Sequence, residues 1–273
     1  MSGRFPTTTI VLVAGLLLTA WAQAQPPGPG GPPPAPRSPR EAAQVDITGY
    51  WVALVTEDWL WRMVTPQKGD ITSVPMNPNG RRAANEWDRE RDIANGEQCK
   101  AFGAAGLMRQ PLRLHITWEG NDTLRIDTDA GQQTRLLHFA ANAAAVAAPS
   151  WQGNSTAEWT RAVAGFDMRM VFGSPKDLPK GPLQASLKVN TSQLRAGYLR
   201  KNGVPYSDST QLTEYFSRVT TAGNDYLTVL SIVRDPVYLT GPFLTSSQFK
   251  REPDAAKWNP SPCQTAAPQQ KGG

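Results

Sequence analysis

From Pro111 to Lys250 the chain is a succession of short runs in which apolar and polar residues alternate, each closed by a turn signal. Leu112, Leu114, Ile116 and Trp118 alternate with Arg113, His115 and Thr117, and the run stops at Glu119-Gly120-Asn121-Asp122. A period of two marks a strand with one face buried and one wet. Thr123–Thr128 runs back, Asp129-Ala130-Gly131 turns, and Gln133–Phe139 follows. Ala140–Ala148 is a loop or short helix, and Trp151–Arg161 with Phe166–Phe172 reads as a hairpin before the Gly173–Pro182 loop. Leu183–Val189 and Gln193–Arg200 flank an expected turn at Asn190-Thr191-Ser192. Asn202-Gly203 is the strongest two-residue hairpin signal in the chain. Leu212–Thr220 and Tyr226–Arg234 pair across Ala222-Gly223-Asn224-Asp225, and Phe243–Lys250 is the last run. About nine or ten such strands in series favour an antiparallel barrel or sandwich over βαβ units. No repeat and no glycine-rich phosphate loop interrupts them.

Ahead of this series lies Asp46–Met63, DITGYWVALVTEDWLWRM. Read as one long first strand, it places Trp51, Ala53, Val55, Glu57, Trp59, Trp61 and Met63 on one face. Glu57 is then an acid among aromatic and aliphatic groups. Thr65–Pro75 reads as a loop. Asn77 followed by Pro78 is an N-cap with proline at the first helical position, and Asn95-Gly96 is a stop. The spacing predicts a single short helix over Pro78–Ala94 that lays Trp87 on the main body.

The amino terminus reads differently. Arg4, the apolar run Ile10–Ala20 and Ala22-Gln23-Ala24 describe a cleaved secretory signal over residues 1–24. The apolar run is shorter than the roughly 20 residues a bilayer span needs, so no transmembrane segment is expected in the mature chain. Residues 25–44 begin with QPPGPGGPPPAPRSPR, a Pro/Gly-rich linker that cannot bury a core. The barrel domain is expected over 45–265 and a disordered tail over 266–273. The chain is therefore expected to be exported, periplasmic or secreted.

Net charge is +5 and the pI about 9.3, yet the basic residues are scattered. No basic block interleaves with aromatics, so nucleic acid is not an expected partner. Cys99 and Cys263 are the two cysteines. In an oxidising compartment such a pair reads as a disulfide, the alternative being free thiols or mixed disulfides.

Gly49-Tyr50-Trp51 resembles the G-x-W corner that opens lipocalin-type barrels. More of the chain, most of Ile47–Cys263, resembles a large uncharacterised family of exported bacterial proteins with a lipocalin-like (calycin) β-barrel. The matching pieces are Gln98-Cys99, Gly103, Leu107-Met108, the hairpin ending in Arg135, and the run from Gly197 through Asn202-Gly203 to Ser207. Thr213-Glu214-Tyr215-Phe216, Asp235-Pro236 and Trp258 to Cys263 continue the likeness. A Trp-x-Gly-Asp segment that many relatives carry is missing from Leu183–Thr191, as is a His beside Ser207-Asp208-Ser209. The resemblance implies an all-β, antiparallel lipocalin-like barrel and export, and it implies no settled activity.

Glu57, His115 and Glu214 are the candidate acid/base groups. Glu57 among Trp59, Trp61 and Val55 could be desolvated, which raises a carboxyl pKa and suits proton transfer; it could equally sit at the rim or pair with a buried arginine such as Arg135. Glu214 shares a face with Leu212 and Phe216, and with Glu57 it could form an acid/base pair across the barrel or be a second rim acid with a salt-bridge partner. His115 points inward if the interior is polar and is otherwise solvated. His115 and His138 are the two histidines, and neither lies in an H-x-H or H-E-x-x-H spacing, so no metal and no cofactor is expected. Trp51, Trp59, Trp61, Trp118, Arg135, Tyr198, Tyr206 and Tyr215 are candidate ligand contacts, since barrel mouths commonly hold flat or apolar ligands. The leading reading is a barrel cup for a small hydrophobic or aromatic molecule. The rival is a cofactor-free isomerase, lyase or hydrolase in the same barrel, and a third reading is an envelope interaction protein. A closed, packed interior would count against the first two.

Overall fold

Nine of the alternating runs close on one another into a barrel. The computed structural model describes residues 3, 37–139, 148–162, 184–264 and 267–268. The chain divides into two compact units, 1–36 and 37–273, and the barrel lies in the second. Its strands are β1 (Gly49–Leu54), β2 (Arg113–Glu119), β3 (Thr123–Thr128), β4 (Thr134–His138), β5 (Asn154–Ala162), β6 (Gln184–Ser192), β7 (Gly197–Arg200), β8 (Val204–Tyr206), β9 (Gln211–Thr221), β10 (Asn224–Arg234) and β11 (Phe243–Glu252). Round the barrel the order is β1-β11-β10-β9-β6-β5-β4-β3-β2, and β2 closes back on β1. Every pair is antiparallel except β4–β5, joined in parallel at Leu137–Ser155 and His138–Thr156. A closed nine-stranded barrel of this kind fits a lipocalin-like fold.

Three departures from the sequence reading have local causes. The first strand stops at Leu54, because Asp58 turns left-handed (φ 52°) and starts the one-turn helix α1 (Trp59–Arg62). Alternation beyond Leu54 therefore has no strand to ride on. The expected single helix is two, α2 (Pro78–Glu86) and α3 (Arg89–Ala94). Asn77 caps the first as expected, accepting from the Gly80 N–H, but Trp87 is extended (ψ 135°) and Asp88 caps a new helix by accepting from the Arg91 N–H. Asn190-Thr191-Ser192 is no turn: all three continue β6, paired with β5. A 3-10 turn (Lys100–Phe102) and α4 (Ala104–Leu107) complete the β1–β2 connection. The expected signal, most of the 25–44 linker, and the strand at Phe166–Phe172 lie outside the described residues.

Among the described residues the inner wall is closely packed. Leu114, Ile126, Leu187, Phe216, Val229 and Phe249 are all at 0 % exposure, which leaves no room for a water beside them. The strand directions put the start of β1, the turns at 120–122 and 222–223, and residues 37–48 at one end, the Gly49 end. The helices, the β7–β8 hairpin and the 235–242 loop sit at the other, the Leu54 end. Ile47 packs into the same apolar cluster from one end, and Phe102, Leu107 and Met108 from the other, so both ends are stoppered. A second cluster, with Val74, Leu199, Tyr206, Leu239 and Phe243, binds the hairpin to the helical connection.

Two glycines are placed by what approaches them. Gly49 has φ +112°, and the Arg251 guanidinium lies 3.2 Å from where a Cβ would stand; the same guanidinium sits over Trp51, 5.6 Å from its ring centroid. Gly203 (φ +79°) turns the β7–β8 hairpin against Trp87, whose ring a Cβ would strike. After β11 the chain doubles back outside the barrel, lays Trp258 on Tyr50 and His115, and ties Ser261 to Asp129 and Gly131 by backbone bonds. It ends in a disulfide, Cys99–Cys263.

Candidate functional site

The expected site residues do not converge on one place. Inside the barrel, Arg135 on β4 reaches Glu214 on β9, with Nη2 2.6 Å from Oε2. Their exposures are 1 % and 0 %. Arg135 Nη2 also donates to Thr191 Oγ1, which shares a hydrogen bond with Ser155 Oγ, while Ser231 Oγ donates to Glu214 Oε1. The chain of polar groups thus crosses an otherwise aliphatic interior. Burying a charge is costly unless it is paired, and each of these ions is the other's partner. Tyr206 is buried beneath the hairpin, its hydroxyl unpartnered, and burial pushes its pKa up against the opposing pull of Arg135.

Glu57 does not belong to this interior. It follows the end of β1, on the exposed side of the chain, so the desolvation expected from a long strand does not arise and it makes no acid pair with Glu214. Trp59 is 59 % exposed for the same reason. Trp61 turns inward on α1, donates Nε1–H to Asp70, and stacks under Arg200 with 5.0 Å from guanidinium carbon to ring centroid. Tyr198 donates its hydroxyl to Asp92, which also accepts from Trp87 Nε1–H and pairs with Lys100. Burial, and then that bond to Asp92, push Tyr198 well above the ordinary phenol range.

His115 points outward. Its ring stacks on Tyr50, centroids 4.1 Å apart and planes nearly parallel, with Trp258 edge-on. Burial depresses its pKa against the opposing effect of Asp127. Tyr215 also faces outward, half-buried, paired across from Lys188. Trp51 is wholly buried, its N–H given to the Ile47 carbonyl. It is core.

The Gly49 end carries one ligand-sized groove; another space, of about 370 Å³ and without aromatic walls, lies against the 235–242 loop at the other end. Trp118 of β2, Phe139 and Trp159 of β5 form an aromatic row with centroid separations of 5.5 and 5.4 Å. Residues 37–48 arch over it: Trp159 Nε1–H donates to the Pro39 carbonyl and the Arg40 N–H to the Asn121 carbonyl. Between arch and row is a groove of about 300 Å³ lined by Arg40, Ala43, Val45, Asp46, Ile47, Thr48, Trp118, Leu124 and Trp159. Burial alone would raise Asp46, but the N–H and hydroxyl of Thr48, with Arg251 and Arg218 nearby, hold it below the usual carboxylate value. The groove thus has aromatic walls, an arginine on one lip and an ionised aspartate on the other. Of the expected contacts only Trp118 lies here. Arg40 gave no signal because the residues ahead of the first strand read as linker, and nothing in the Trp151–Arg161 run says that this segment folds back over Trp159.

No family model, curated protein or solved structure matches the chain. Among the described residues no three or more His, Cys, Asp or Glu side chains gather around a point that could hold a metal ion. No helix among them is long and apolar enough to cross a membrane.

Proposed function

We propose that the protein is an exported, lipocalin-like binding module that holds a small hydrophobic or aromatic molecule, not inside the barrel but in the groove at its Gly49 end. The observation that carries this reading is the aromatic row of Trp118, Phe139 and Trp159 beneath the 37–48 arch. Ligand sites are concave, mostly apolar, and start at about 300 Å³, so the groove suits a compact ligand. Arg40 suits an acidic or carbonyl group on it. The disulfide supports an oxidising compartment, periplasmic or extracellular.

The cofactor-free enzyme has less support. Glu214 is committed to Arg135 where no substrate reaches it, Glu57 is in solvent, and His115 is stacked outside the barrel. Proton transfer needs the acid and base within about 3 Å of a common reacting point.

The test is native mass spectrometry of protein purified from its own host, with tryptophan-fluorescence titrations of lipids, terpenoids and phenolics. A molecule should travel with the wild type, be lost in Trp118→Ala plus Trp159→Ala, and be kept in Trp61→Ala. If nothing co-purifies and no compound of the panel changes the fluorescence, the reading fails.

A further inference from the structure

At the Leu54 end, remote from the groove, three arginines from separate elements are buried, and the charge of Arg109 acts on each of the other two. Arg62 of α1 is 1 % exposed, Arg109 beyond α4 7 %, and Arg200 at the end of β7 3 %. Arg62 Nε–H donates to the Arg109 carbonyl at 3.0 Å, and Arg109 Nη2 meets Asp58 at 2.7 Å. Arg200 Nη2 donates to the Thr72 carbonyl at 2.6 Å, and its guanidinium lies on the Trp61 ring. The other donors have nothing: both Nη groups of Arg62, and Nε and Nη1 of Arg200, are buried without a hydrogen-bond partner. Three carboxylates act on the cluster from nearby. Glu57 is exposed, Asp58 is taken by Arg109, and Asp70 accepts from Trp61 and Thr72. None bonds to the orphaned donors.

Native proteins pair buried charges and satisfy buried donors. Here burial, and then the like charge of Arg109, depress both Arg62 and Arg200, the latter to about 10. Both remain cations at neutral pH. A guanidinium presents planar N–H donors that suit oxyanions. Arg62 leaves its Nη1/Nη2 pair open and Arg200 its Nε and Nη1, and a tetrahedral oxyanion offers acceptors in several directions to donors carried on different elements.

We propose that Arg62 and Arg200, with Arg109 behind them, form a binding site for a tetrahedral oxyanion: phosphate, sulfate, or the phosphoryl or sulfo end of a larger molecule. Trp61 holds the Arg200 plane, and α1 is the cover. That helix is a single turn entered through a left-handed aspartate, and Trp59, Leu60 and Met63 on its outer side are 59, 48 and 52 % exposed. Only its inner side is held, through Trp61, Arg62 and Asp58, so it is the element whose lifting would open the cluster to the ion.

The experiment uses the disulfide-bonded mature protein. Inorganic phosphate and sulfate are titrated by calorimetry and by thermal melting against sodium chloride of equal ionic strength. The expected result is one saturable site, a melting-temperature rise beyond the chloride control, and a loss of affinity of about tenfold or more in Arg62→Met and Arg200→Met. Both variants should melt in chloride no lower than the wild type, since a buried unpaired charge has been removed. Should either fail to fold, Arg200→Lys, which keeps the charge but not the fork, carries the same comparison. Trp118→Ala should bind the ion normally, which separates this site from the groove. A glycerol phosphate arm tells the source: tighter than phosphate means the end of a larger molecule, equal or weaker means the free ion. No rise beyond chloride, or the same rise and affinity in both Met variants, overturns the proposal.

Discussion

Arg135 and Glu214 show what a single residue can and cannot announce. Each stood out in the sequence, an arginine in one alternating run and an acid in another, but their 79-residue separation hid the contact. Alternation reports which face a side chain takes; it carries no information on which strand lies across the barrel. The pair has a measurable consequence. Taking away one ion leaves the other buried and alone, at a cost of about 3–5 kcal/mol, whereas exchanging both for apolar groups is often neutral. Glu214→Gln and Arg135→Met should each lower stability by that order in urea unfolding, and the double variant Arg135→Met/Glu214→Leu should recover most of it. Losses that simply add would mean that the two ions do not depend on each other.

Among the elements, those with a repeating pattern were legible and those defined by one residue were not. β2, β3, β9 and β10 follow the alternation almost to the residue, because a half-buried strand repeats its signal at every second position. The end of β1 depends on one left-handed Asp58 and the α2–α3 break on one extended Trp87, and a periodic reading runs through both. The candidate site suffered accordingly: Glu57, Trp59 and Trp61 were assigned to a strand face that stops short of them. The β10–β11 connection depends on a single side chain too. Asp235 accepts from the Ser207, Val237 and Tyr238 N–H groups and from the Thr210 hydroxyl, tying that loop to the β8–β9 turn. Burial works to raise its pKa, but these donors outweigh it and hold the carboxyl below 3.8. A carboxyl lowered in the folded state contributes fully above its unfolded value, about 3.9, and the contribution fades as pH falls through the lower folded value. Asp235→Asn should therefore cost about 1–3 kcal/mol at pH 7. The gap from wild type should narrow below pH 3.8. Urea midpoints measured across that range check the sign.

For the whole molecule, closure is the property that no local pattern states. The parallel β4–β5 contact and the pairing of β6 with β9, past the excluded β7–β8 hairpin, complete the ring, and neither follows from neighbours in sequence. The disulfide adds a second closure. Through it the chain after β11 is held along the outside, from the Gly49 end to the turn at Asp129, with Trp258 over Tyr50 and His115. The cross-link joins residues 164 apart, so Cys99→Ser/Cys263→Ser should lose stability, with an entropic ceiling of roughly 5 kcal/mol. Its second effect is local. Burial is what depresses His115, and Trp258 supplies part of that cover. If the disulfide holds the strap down, cutting it exposes the imidazole, and the His115 pKa climbs back toward about 6.5. A base lowered in the folded state stabilises it above the unfolded value and loses that effect as pH falls through the folded one. The double variant should therefore show a weaker decline in stability below pH 6.5 as well as a lower midpoint. With two histidines in the chain, NMR titration with His138→Gln as the assignment control reads the change directly. An unmoved His115 in the double variant would mean that the backbone bonds of Ser261 hold the strap without the cross-link, and that the disulfide acts on the unfolded chain alone.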